Sequence, residues 1–207
     1  VNEYDNLFME SYQYAREQMN RHTPIYGYHN DSAERYAKRR GKRNLINLVA
    51  REHEKGNLVG FIGGPPCPDF SVAGKNAGAN GENGRLTKVY FDIICRCRPD
   101  FFLFENVKGL VKTEKHRAFY NEMMMKVQAN DYVMAEKVLN ALEYGVPQFR
   151  ERVFMVGIHK GLNFGFGLEK FHDMGFPVRR LCVRTVAVAV SIRLAILRQN
   201  ADTALPH

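Results

Sequence analysis

Tryptophan is absent from the 207 residues, and cysteine occurs only four times, at positions 67, 95, 97 and 182. No paired spacing among those thiols suggests a disulfide framework, and no secretory signal precedes them, so a reducing cytoplasm is the expected setting. Cys95-Arg96-Cys97 is too close-set for a CxxC redox or zinc motif. Its neighbours Phe91, Ile93 and Ile94 mark a helix with buried thiols, and no metal site is expected. Long apolar runs are also missing. The nearest approach, Leu181 to Leu197, is under eighteen residues and contains Arg184 and Arg193, which argues against a membrane span. Lysine is absent from residue 178 onward although it occurs twelve times before that point. The Arg/Val/Ala-rich segment 178–207 is therefore set apart from a main unit at 1–177, with a non-native origin as one reading.

What is present suits one domain with a real core. Apolar residues make up 45% and aromatics 12% of the chain, enough to argue against disorder. A net charge of +8 favours an anionic partner, with nucleic acid and an acidic membrane surface both open. The 178–207 segment, with five arginines and one acid, supplies half of that excess, so the main unit is only mildly basic.

Along the chain, Phe8, Tyr12, Ala15 and Met19 fall at helical spacing, predicting an amphipathic helix over 5–19 with Asp5 as its cap and those four residues as its apolar face. Lys38 to Arg43 is a basic run without apolar periodicity and reads as a solvated surface segment, with a nucleic-acid contact as the alternative. Leu58 to Ile62 reads as a strand. The glycine- and asparagine-rich stretch from Ser71 to Arg85 reads as a surface loop. A helix from about Leu86 would turn Val89, Ile93 and Cys97 inward. Asp100 then opens an apolar strand, Phe101 to Phe104, that delivers Glu105 at its carboxyl end. A helix over 116–130 with Phe119, Met123 and Val127 inward, and strands at Tyr132 to Leu139 and Val153 to Ile158 around a turn at 143–147, complete the pattern. Alternating β and α elements predict an α/β fold with a mostly parallel sheet and helices on both faces.

Chemistry concentrates in Pro65-Pro66-Cys67-Pro68-Asp69-Phe70-Ser71, directly after the first strand. Prolines fix φ on both sides of the thiol, which suits a held nucleophile more than a core side chain. Two further signals follow, Phe104-Glu105-Asn106-Val107 and Gln148-Phe149-Arg150-Glu151-Arg152. In order and spacing the three resemble the pyrimidine-contacting motifs of the DNA cytosine-5 methyltransferases, from about Asn2 to about Ile158.

That resemblance implies a Rossmann-like methyltransferase fold using S-adenosyl-L-methionine, acting on double-stranded DNA within a modification or restriction-modification system. Carried onto this sequence, Cys67 adds to C6 of a flipped cytosine, Glu105 donates at N3, Arg152 meets the O2, and Arg150 supports the catalytic loop and the oxygen site. Asn106 is expected to orient the cysteine loop. Period-2 alternation puts Gln148, Arg150 and Arg152 on one side of an extended segment, and Gln148 is taken as a DNA contact. The 71–88 loop is implied to close over the flipped nucleotide, with Ser71, Lys75 and Arg85 as phosphate contacts. For the cofactor, Asn2-Glu3-Tyr4-Asp5 resembles the family's second motif, making Glu3 the ribose contact; Pro66 and Val89 match backbone and apolar contacts. Asn44-Leu45 stands nearest to the Asp-Ile pair of the third motif, without its acidic residue.

The chain departs from the family in lacking the first motif, Phe-x-Gly-x-Gly, before Asn2. Phe164-Gly165-Phe166-Gly167 does not share its register. The recognition region and the last two motifs are not found either, so the expectation is a fragment or one half of a split enzyme, complemented by a chain carrying the rest. A tRNA methyltransferase of this fold and a noncatalytic remnant are the alternatives.

Overall fold

A computed structural model describes residues 1–66 and 82–162. The expectations for Cys67, Ser71 and Lys75, for Phe164 to Gly167, and for the 178–207 tail lie outside the described residues.

Helix α1, Asn6–Gln18, starts where the sequence predicts, because Asp5 Oδ1 accepts from the Leu7 and Phe8 amides at 2.8 and 3.3 Å. Such a cap is worth about 1 kcal/mol. Its apolar face is not the side that is buried. Phe8 and Met19 are 68% and 52% exposed, and Met9 is the buried residue of the helix. Spacing locates an apolar stripe but not the surface it meets; here α1 is held through Met9 and an edge contact between Tyr12 and Tyr28.

The basic run is at the surface as expected, with Lys38, Arg39, Arg40 and Arg43 exposed, and the structure adds that it is helical. After the short helix α2, Glu34–Ala37, residues 39–43 form the start of helix α3, Arg39–Glu54. The apolar positions that hold this helix, Leu45, Ile46 and Val49, come later than the basic run. Gly41 sets the elbow between α2 and α3, since a Cβ there would lie 2.3 Å from the Arg35 carbonyl oxygen.

Strand β1, Gly60–Gly63, pairs in parallel with β2, Phe101–Val107, through the crossover helix α4, Glu82–Cys97. Short α5, Gly109–Lys112, and α6, Glu114–Gln128, lead to β3, Tyr132–Asn140. A single turn of 3-10 helix at Ala141–Tyr144, ended by Gly145 at φ +76°, precedes β4, Glu151–His159. The sheet order is β1-β2-β4-β3. The α/β fold is as expected, but the described sheet is mixed: β4 runs antiparallel to both β2 and β3. The physical reason is connectivity. Only β1 to β2 has a helical crossover between sheet neighbours, whereas the short link from β3 to β4 forces a reversal.

Phe102, Phe104 and Met155 face α4 and α6 and pack with Phe91, Ile94, Met123 and Val127. Burying each such side chain contributes about 1.5–3 kcal/mol. Gly157, opposite Phe102, makes room for its ring; a Cβ would meet it at 2.0 Å. Val89, Ile93 and Cys97 are buried as predicted, against Val49 of α3 and Val59. Helix α4 thus has two inner sides.

Candidate active site

Pro65, Glu105, Asn106 and Arg152 meet where β1 leaves the sheet. Glu105 lies inside β2, three residues beyond Leu103's neighbour Phe102, because the strand runs on to Val107 instead of ending at Phe104 as predicted. The register pairs Glu105 with Phe154 and Val107 with Arg152. Directly opposed residues of an antiparallel pair share a face, and so do alternate residues of one strand, so Glu105 and Arg152 stand on the same face. Arg152 Nε is 3.0 Å from Glu105 Oε1, with both side chains partly exposed. The Arg152 Nη1 group donates to the Glu151 carbonyl at 2.8 Å, fixing the other end of the guanidinium.

Asn106 points to the core face and is 2% exposed. Its Nδ2 donates to the Pro65 carbonyl at 3.3 Å, and its Oδ1 accepts from the Val107 amide at 2.8 Å. The side chain therefore ties β2 to the backbone two residues before Cys67 in the sequence. Pro66 is exposed beside it.

Of the predicted trio on one side of an extended segment, only Arg152 is in a strand. β4 begins at Glu151, so alternation does not reach Gln148 and Arg150. Both are exposed; the Arg150 carbonyl accepts from Ala141 N at 3.0 Å, and the Gln148 amide donates to Val146 O at 2.7 Å, which makes a turn rather than a strand. Arg85, expected on a phosphate, is paired with Glu34 at 2.7 Å.

Glu3 sits on a single parallel bridge, Asn2 with His29. Its amide donates to the His29 carbonyl at 3.0 Å, and Asn30 Nδ2 donates to the Glu3 and Tyr4 carbonyls at 2.9 and 3.0 Å. Asn2 Nδ2 reaches the Asp31 carbonyl at 2.9 Å. The segment the structure sets against Glu3 is thus 29–31. Asn44 is instead exposed on α3, and Val89 is buried in the core.

Three contributors escape a reading of the sequence. Gly64 lies against the acid: a Cβ there would be 2.9 Å from Glu105 Oε2. Tyr90 donates to the carbonyls of Phe61 and Leu103 at 3.2 and 2.9 Å, bridging β1 and β2, and burial pushes its phenol far above the usual range. Lys108 Nζ grips both Glu151 oxygens at 2.7 and 2.8 Å, closing the ends of β2 and β4 beside Arg152. The only local signal for any of these is the doubled glycine before Pro65.

The site can present a carboxyl and a guanidinium together to one planar polar ring, beside a backbone turn that leads to a thiol. Cys95 and Cys97 take no part; both are buried, and burial pushes the Cys97 thiol up to about 11 and raises Cys95 as well.

Known proteins are similar to this chain in sequence and in fold. A type II methyltransferase of Neisseria meningitidis serogroup C, M.NmeDI, is 50% identical over 157 residues, which are 76% of this chain and 37% of that protein. Another, M.MthTI of Methanothermobacter thermautotrophicus, is 42% identical over 114 residues, 55% of this chain and 34% of that protein. The chain thus spans little more than a third of the length of these curated relatives. A crystal structure of a DNA modification methyltransferase encoded within an E. coli prophage superposes with a TM-score of 0.55 at 23% identity, covering 81% of this chain and 42% of that one, a likeness of fold. The family model described as C-5 cytosine-specific DNA methylase matches residues 28–178, and this chain belongs to that family.

Proposed function

We propose that this chain forms the base-binding part of a DNA cytosine-5 methyltransferase of the type II modification systems. The observation that carries the reading is the Glu105–Arg152 pair on one face of β2 and β4, next to a Pro65 carbonyl held by buried Asn106. Cytosine C5 is a poor nucleophile until a thiolate adds at C6, and Cys67 is the thiolate in this reading. Addition builds charge on the ring, so a donor at N3 lowers the barrier; Glu105 supplies it. Arg152, now engaged with Glu105, would turn its guanidinium to the O2 of the base. Arg150, exposed at the strand entrance, supports the loop from outside the strand.

The target cytosine is stacked in a duplex and has to be extruded. Ser71, Lys75, Arg85 and Gln148 are proposed as its backbone contacts, with Arg85 exchanging Glu34 for a phosphate. S-adenosyl-L-methionine supplies the methyl group. The residues present fit it in part: Glu3 Oε1 accepts from the Asp5 amide at 3.0 Å, and its second oxygen remains for a ribose hydroxyl. Pro66, Val89 and Asn44 complete the proposed contacts, and Asn44 and Val89 would reach it only from the positions described above. As an enzyme acting on DNA, the protein is proposed to work in the cytoplasm. Among the described residues no helix is long and apolar enough to cross a membrane.

The test is a duplex carrying 5-fluorocytosine, offered with cofactor to the chain joined by the parts of its relatives that it does not span. Fluorine at C5 blocks the final elimination and traps the C6 thioether. Peptide mapping is expected to find the adduct on Cys67, and Cys67→Ser to abolish it. An adduct that survives this change, or maps to Cys95 or Cys97, would sink the assignment.

A further inference from the structure

We propose that the elbow between α2 and α3 is a second contact surface for the phosphate backbone of duplex DNA, apart from the site that holds the base. Lys38, Arg39, Arg40, Lys42 and Arg43 fall within six residues of it. The fold adds a sixth cation from the end of α4: Arg96 Nη1 donates to the Ala37 carbonyl at 3.3 Å. Lys42 and Arg96 also both bear on the buried Cys97 thiol, so the two helices bring their charges to one place.

None of these six side chains has a carboxylate partner among the described residues. Other cations among the described residues are paired, as in Arg35 with Asp31, Arg85 with Glu34, Lys108 with Glu151 and Lys126 with Asp92, and those without a carboxylate, such as Arg51, Arg117 and Lys160, lie apart in sequence rather than in one run. The elbow also opposes its own helix. Lys38 and Lys42, and Arg39 and Arg43, are like charges four residues apart, and all sit at the positive end of the α3 dipole without a side-chain cap. A run that breaks local rules this consistently is expected where an external anion relieves it. Gly41 keeps it in place, since any larger residue would push α3 away from Arg35.

The chemistry selects a duplex backbone. Cations alone position phosphates and carry no base readout. The aromatic of the elbow, Tyr36, is half-buried with its hydroxyl on Asn2 Oδ1 at 3.2 Å, so it offers no stacking platform of the kind single strands use. The inference rests on DNA as substrate but not on the roles of Cys67, Glu105 or Arg152.

The measurement is fluorescence anisotropy of the 207-residue chain with a labelled duplex, as a function of salt. Changing the exposed Arg39, Arg40 and Arg43 to Gln is expected to weaken binding at 50 mM salt by at least about tenfold and to lower the slope of log K against log salt by about 2–3. The same three positions changed to Lys should keep the slope. Arg51→Gln, Arg117→Gln and Lys160→Gln together remove equal charge from exposed cations elsewhere and should have a much smaller effect. Several results overturn the proposal: an unchanged slope in the elbow variant, an equal loss in the matched control, no duplex binding by the unaltered chain, or equal loss of binding to phosphatidylserine vesicles. Failure of the proposed function is read separately, as absence of the Cys67 adduct in the complemented protein with its elbow intact.

Discussion

Arg152 Nε lies 3.0 Å from Glu105 Oε1, although 46 residues separate them along the chain, because β4 pairs with β2 in the register that opposes Arg152 to Val107. A one-residue slip would send the guanidinium to the core face. Glu105→Gln keeps a hydrogen-bond donor but cannot transfer a proton. In the complemented enzyme, methyl transfer is expected to fall by on the order of 10² or more with DNA binding retained. Full activity would place the N3 donor elsewhere.

Gly64→Ala tests the same carboxyl from the other side. The new Cβ would press on Glu105 Oε2 at 2.9 Å, the end of a flexible side chain that can move away. Transfer activity should drop while the urea midpoint stays close to that of the parent. Gly157→Ala should behave in the opposite way: its Cβ meets the Phe102 ring at 2.0 Å inside the core, and overpacking of this kind costs about 1–3 kcal/mol. If both variants lose the same stability, the Gly64 contact is structural only.

Asn106→Ala removes a buried amide and leaves the Pro65 carbonyl and the Val107 amide without their partner. The expected loss is about 1–3 kcal/mol. Hydrogen exchange at the Val107 amide should speed up more than at Phe102 or Phe104. Uniform acceleration along β2 would point to general loosening instead.

Burial raises the Cys95 and Cys97 thiols, the latter to about 11. The thiolate is the alkylated form, so rising pH favours reaction, and at pH 7.5 both cysteines should resist iodoacetamide until the chain is denatured. Cys97 should begin to react only as pH approaches 11. Mass spectrometry of the digested protein reads each position; rapid native labelling of Cys97 would contradict its place between α3 and α4.

The sequence by itself determined the family and most of the elements from β1 onward. Short-range signals carry these: the apolar runs before Pro65 and Glu105, and the three motifs. It could not determine which side of α1 is buried, since spacing gives a stripe and not its partner, and Met9 rather than Phe8 meets the body. Nor could it place the α3 start, where helical order is imposed by Leu45, Ile46 and Val49 downstream. Alternation failed at Gln148 and Arg150 because a turn stabilised by Ala141 and Asn140 delays β4 to Glu151. Only the tertiary structure decided that Arg152 meets Glu105, that Asn106 holds Pro65, and that Arg96 joins the basic elbow. Each depends on register or packing between segments distant in sequence, and no local propensity encodes that.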